Sequence, residues 1–141
     1  MKRRHLFGLI CGMLALLASA ATADTMQVHM VKATNKGQAK IDDRLKAFEN
    51  LLQKSNLAFK RFQLVDVKSV KLPSNSSVIM QGYELSASGS AGDLKLNLAH
   101  KGRQVMNSTV KIEPGKPLIV GGFPDAADKD ARILLILSVG N

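Results

Sequence analysis

Ile133-Leu134-Leu135-Ile136-Leu137-Ser138-Val139 is apolar on both parities of an extended chain. A half-buried strand alternates apolar with polar residues, so a run that is greasy on both sides must lie in mid-sheet with both faces covered. A helix is available as one of those covers.

Working back from this strand, turn chemistry divides the sequence into further short strands. Residues 118–123 follow the turn Glu113-Pro114-Gly115-Lys116-Pro117, and residues 104–112 follow His100-Lys101-Gly102-Arg103. Leu94, Leu96 and Leu98 alternate with Lys95, Asn97 and Ala99, the cleanest period-two signal in the chain. Ser88-Gly89-Ser90-Ala91-Gly92-Asp93 reads as a turn, residues 78–86 as a strand, and Pro73-Ser74-Asn75-Ser76-Ser77 as another turn. Further back, Phe62 and Leu64 share one parity, Val65 and Val67 the other, and Val70 and Leu72 return to the first. Such a phase slip requires a bulge or a bend between two short strands. Residues 26–33 alternate Met26, Val28 and Met30 with Gln27 and His29 and form the first strand.

Between the first strand and the phase slip, Ile41, Leu45, Phe48 and Leu52 recur at helical spacing and predict an amphipathic helix near 41–54. Asp42 or Asp43 caps its start. Lys54 favours its far end, where Asn56 suits the left-handed terminal conformation. Its single stripe predicts one face packed on a sheet, with Phe48 buried there. The pattern as a whole gives an antiparallel β-sandwich or partly open barrel with one helix packed on the sheet.

The first residues carry an address. Met1-Lys2-Arg3-Arg4-His5 is cationic and acid-free, and the apolar run from Leu6 to Leu17 is shorter than the roughly 18 to 20 residues that span a bilayer. Ala21-Thr22-Ala23 then supplies a cleavage motif, with Ala18-Ser19-Ala20 as second choice, so residues 1–23 read as a signal peptide and residues 24–141 as one exported domain, periplasmic or secreted. Cys11, preceded by Ile10 rather than by a small residue, leaves with the leader. The remaining domain has no cysteine, which excludes disulfides and thiolate chemistry. Its net charge is +6 instead of +9, because three of the 20 basic residues go and none of the 11 acidic ones.

The succession Ile41-Asp42-Asp43-Arg44-Leu45, Phe62-Gln63-Leu64-Val65, Leu72-Pro73, Thr109-Val110, Val120-Gly121-Gly122 and Ile133-Leu134-Leu135 resembles a group of small secreted bacterial proteins of unknown function. The resemblance implies the fold and a bacterial origin, and brings no activity. Asp43 stands where that group leads one to expect a proline.

Catalytic patterns are absent: there is no G-x-S-x-G elbow, no H-E-x-x-H helix and no phosphate loop, and Gly89-Ser90-Ala91-Gly92 lacks the lysine and the following helix that such a loop needs. His29, His100, Glu49, Glu84 and Glu113 form no acid–base pair by sequence position. Met26, His29, Met30, Met80, His100 and Met106 are of the kind copper selects, but Met26 and Met30 share a strand face that His29 does not. Calcium fits Asp125-Ala126-Ala127-Asp128-Lys129-Asp130 poorly, since Ala127 takes a ligand position and Lys129 repels the ion. No metal and no cofactor is expected. Asn75-Ser76-Ser77 and Asn107-Ser108-Thr109 are formal glycosylation sequons.

Two features could serve binding. Gly121-Gly122 marks a strand end, a bulge or a close backbone approach, and Lys60 and Arg61 with Lys101 and Arg103 form an anion patch if the fold unites them. Nucleic acid is disfavoured by export, by 4% aromatic content and by the lack of tryptophan. The expectation is a non-catalytic adaptor of the bacterial envelope that binds another protein through a sheet edge or loops. Its alternative is a binder of an anionic glycan or lipid head group through the basic turns.

Overall fold

The computed structural model describes residues 24–55 and 59–140. The leader reading and the conformation expected of Asn56 fall outside these residues.

Among the described residues, nine strands form two sheets. β1 (Asp24–Thr34), β2 (Lys40–Ile41), β3 (Arg61–Leu72), β8 (Leu118–Pro124) and β9 (Arg132–Gly140) make the first, in the order β2-β3-β1-β9-β8. β4 (Ser74–Met80), β5 (Tyr83–Ser90), β6 (Asp93–His100) and β7 (Arg103–Val110) make the second, a meander in sequence order. All pairings are antiparallel except β2 with β3. The two sheets form a sandwich rather than a barrel, with one short helix on the outside of the first.

β9 lies between β1 and β8 and is covered on both faces, as its composition requires. Ile133, Leu135, Leu137 and Val139 enter the core between the sheets, beside Met26, Val28 and Met30 of β1 and Leu94, Leu96 and Leu98 of β6. Leu134 and Ile136 enter a second core on the opposite face, with Val31, Ala33, Phe62 and Leu64 below and Leu45 and Leu52 above.

The phase slip in β3 is a bulge. Met30 faces Asp66 and Val31 faces Leu64, so Val65 is the extra residue. Phe62 and Leu64 therefore point to the helix while Val70 and Leu72, of the same parity, point between the sheets.

The expected single helix is instead two pieces. Ile41 is drawn into β2, Asp43–Phe48 is a 3-10 helix, and only α1 (Glu49–Lys54) is α-helical. Leu45 and Leu52 are buried at 0% and 1% exposure, whereas Phe48, at the junction, is only half-buried. Phe48 packs at the margin of the second core and meets the His29 ring edge-on, so part of its ring stays open to solvent.

A second correction concerns residues 73–86. The serine-rich stretch expected to be a turn is β4 itself, and the expected strand 78–86 is cut by a two-residue hairpin at Gln81 (φ 49°) and Gly82 (φ 82°). Two successive positive φ angles are the geometry that matches strand twist in tight hairpins. Lys101 (φ 51°) and Gly102 (φ 77°) repeat it between β6 and β7.

Candidate functional site

Four strands stand at sheet edges, and β3 is covered only where β2 pairs with Arg61 and Phe62. Exposed edges are normally blunted by bulges, charges or proline. β3 has its bulge at Val65 and carries Asp66, Lys68 and Lys71. β8 has a bulge at Gly122 and ends at Pro124, and the Arg132 guanidinium donates to the Gly122 carbonyl at 3.2 Å. β7 carries the extra residue Val105 and is bracketed by Arg103 and Lys111.

β4 has none of these devices within its length, Pro73 standing just before it. Ser74-Asn75-Ser76-Ser77-Val78-Ile79-Met80 contains no charge, no proline and no bulge, and among the described residues it pairs with β5 alone. Val78 packs against the inter-sheet core and Met80 is fully buried, which fixes the strand's register. Ile79 points the other way and is 61% exposed, more than the other exposed large apolar residue, Val67.

The outward face beside this edge is built of small polar residues in register. Ser77 faces Ser86, which faces Asn97, which faces Asn107; the next row runs Asn75, Ser88, Lys95, Thr109. A shallow trough of about 340 Å³ lies over these rows. Both sequon asparagines, Asn75 and Asn107, line it.

A cleft of about 670 Å³ lies beside the helical segment at the β2 edge. Its rim mixes Lys40, Lys46 and Lys60 with Asp42, Asp43 and Glu49, which gives it no single sign of charge. Asp42 organises this corner. Its carboxylate accepts from the Arg44 amide (3.0 Å), the Arg44 Nε (3.1 Å) and Nη2 (2.7 Å), and the Leu64 amide (3.2 Å). The Arg44 hydrogen bonds hold the Asp42 carboxyl well below the usual carboxylate range.

The expected binding residues fall into separate settings. Lys60 lines the mixed-charge cleft, and Arg61 faces a second one with Lys32, Lys36 and Asp128. Lys101 and Arg103 are exposed at the β6–β7 hairpin of the other sheet. Gly121 and Gly122 lie inside β8 rather than at its end. A Cβ on Gly121 (φ 122°) would stand 3.1 Å from both the Ile133 carbonyl oxygen and the Phe123 ring, so the close backbone approach is within the sheet.

The acidic loop between β8 and β9 is tied down by lysines. Lys32 Nζ lies 3.8 Å from Asp125 and 3.2 Å from Asp128, and Lys36 pairs with Asp130 at 2.6 Å. The amide of Ala126 donates to the buried Tyr83 hydroxyl at 3.0 Å. Among the described residues, no group of three or more His, Cys, Asp or Glu side chains is placed to hold a metal ion.

His29 and His100 lie apart, each against an aromatic ring. His100 packs on Tyr83 with ring centres 4.7 Å apart, and His29 meets Phe48 edge-on at 4.8 Å. The His29 Nδ1 is buried with no hydrogen-bond partner among the described residues, and burial lowers the pKa of the ring against an opposing contact from the Ile136 backbone.

No described helix is long and apolar enough to cross a membrane. Compared with known protein families, curated proteins and solved structures, the chain matches none of them.

Proposed function

We propose that this chain is an exported, non-catalytic interaction domain of the bacterial cell envelope, and that the free edge of β4 docks an extended segment of another polypeptide. The single observation that carries the reading is the contrast between β4 and the other edges. Three edges bear the bulges, charges or proline that discourage strand addition, and β4 is uncharged and regular over seven residues. A row of free main-chain donors and acceptors beside an exposed Ile79 supplies both hydrogen bonds and an apolar anchor for an added strand. Export rests on the leader pattern of residues 1–23, and envelope material is expected to begin at Asp24 in an intact-mass measurement.

A photo-crosslinking side chain placed at Ile79, and separately at Lys101, tests the site in living cells. Crosslinks from position 79 to a polypeptide support the β4 edge. Crosslinks from position 101 to a glycan or lipid, with none to protein from position 79, move the function to an anionic ligand held at the basic turn.

A further inference from the structure

We infer that the strand taken up by the β4 edge is β4 of a second copy of this chain, so that two four-stranded sheets join about a two-fold axis into one of eight strands. This inference rests on the reading of β4 as an open docking edge and names its partner.

The self-complementarity of a strand edge and the local absence of charge favour a second copy. Any strand edge matches itself when paired antiparallel, because each outward N–H and C=O meets its symmetry mate's complement; a two-fold axis therefore satisfies the edge with no other sequence required. Without the leader, basic residues outnumber acidic ones 17 to 11, so copies repel in general. The stretch from Leu72 to Tyr83 carries no charge at all, and it contains the whole of β4. Two copies can approach here with the least electrostatic cost.

The register is also fixed by side chains. Ser77 is the middle residue of β4, and full overlap of the two strands puts it opposite its own copy. The row Asn107, Asn97, Ser86, Ser77 then runs without interruption into Ser77, Ser86, Asn97, Asn107 of the other chain. Hydroxyls and amides directly opposite each other across strands form favourable pairs. In the same register Ile79, whose neighbour on β5 is Glu84, faces the uncharged Asn75 of the copy, which covers its exposed side chain.

Closure follows from the guarded edges. With β4 used once per chain and β7 broken at Val105, the pairing ends at a dimer instead of propagating as a fibre.

The test uses sedimentation velocity of the chain over a concentration series, together with amide exchange along β4. Wild type is expected to dimerise. Ser77→Lys and Ser77→Glu should each be monomeric with unchanged circular dichroism, since each puts like charges opposite one another at the axis. Mixing the two should restore the dimer as a heterodimer, at least tenfold tighter than either variant alone. A wild type that stays monomeric with fast-exchanging β4 amides overturns self-pairing and leaves β4 open to a foreign strand. A monomer whose β4 amides all exchange slowly overturns the open edge as well. A dimer that survives both substitutions places the interface elsewhere and also overturns the proposal.

Discussion

The carboxylate of Asp42 accepts the Leu64 amide at 3.2 Å and stands where the next carbonyl of β2 would be. β2 is only two residues long, and its ladder with β3 ends as the Asp42 amide donates to the Phe62 carbonyl at 2.9 Å. One side chain thus extends the sheet by a hydrogen bond and caps the 3-10 helix that follows.

Asp42→Ala should free Leu64 and Arg44 together. A fall of a few degrees in the thermal midpoint is expected, with Asp42→Asn in between, because the amide keeps one acceptor but not the charge. Since the folded carboxyl is held below its unfolded value, the stability it contributes is complete above about pH 4 and is lost as pH falls further. Thermal melts of wild type and Asp42→Ala should converge in strong acid. Curves that stay parallel throughout would show that the charge of Asp42 is irrelevant.

His29 predicts a second, separate window. Its pKa is lowered in the fold, so above about 6.5 the ring is neutral in both states and costs nothing. As pH drops below that value the unfolded chain takes up a proton that the folded chain resists, and stability declines by fewer than one proton's worth of slope. Urea midpoints between about pH 7 and pH 5 should fall for wild type and fall less for His29→Gln.

Leu52→Ala should cost about 2 to 5 kcal/mol, as for a fully buried leucine. Phe48→Ala should cost less, about 2 kcal/mol, because the ring is only half-buried. It should also uncover His29 and flatten the pH dependence just described. Denaturation giving the reverse order of the two costs would mean that the helical segment docks through Phe48.

Gly89 and Gly92 form a paired control in the β5–β6 hairpin. Gly89 has a φ of 112°, and a Cβ there would collide with the Asp93 carbonyl oxygen; Gly92 has no heavy atom within 4 Å of that position. Gly89→Ala should destabilise by about 3 kcal/mol or more, and Gly92→Ala should stay within about 0.5 kcal/mol. Equal costs would contradict the geometry of this hairpin.

Much of the sandwich was legible because β9 and β6 carry unambiguous patterns. A strand apolar on both parities needs two cores, and the structure supplies both. What was missed around β4 came from residue types that disguise strands and hairpins. Serine and asparagine are poor strand formers, so Ser74-Asn75-Ser76-Ser77 looked like a turn, whereas pairing with β5 overrides that preference. Gln81-Gly82 lacks the usual asparagine or aspartate of a tight hairpin, so the boundary between β4 and β5 was invisible. The candidate docking edge was hidden for the same reason. Its one readable trace was the spacing of Val78 and Met80, which share a face up to the hairpin. The helical stripe misled in a different way, since Ile41 met the periodicity and yet found a better partner in Phe62 of β3.

The bulge at Val65 also gives β3 one residue of slack. Met30 and Val31 of β1 already face Asp66 and Leu64, so removing Val65 would close the ladder without turning a single side chain over. A one-residue loss elsewhere in an ordinary strand swaps its inside for its outside beyond that point. In β3 the spare residue can absorb such a loss, if the bulge moves to meet it. Loss of one residue, which strands normally tolerate badly, is therefore survivable in this one with both cores kept.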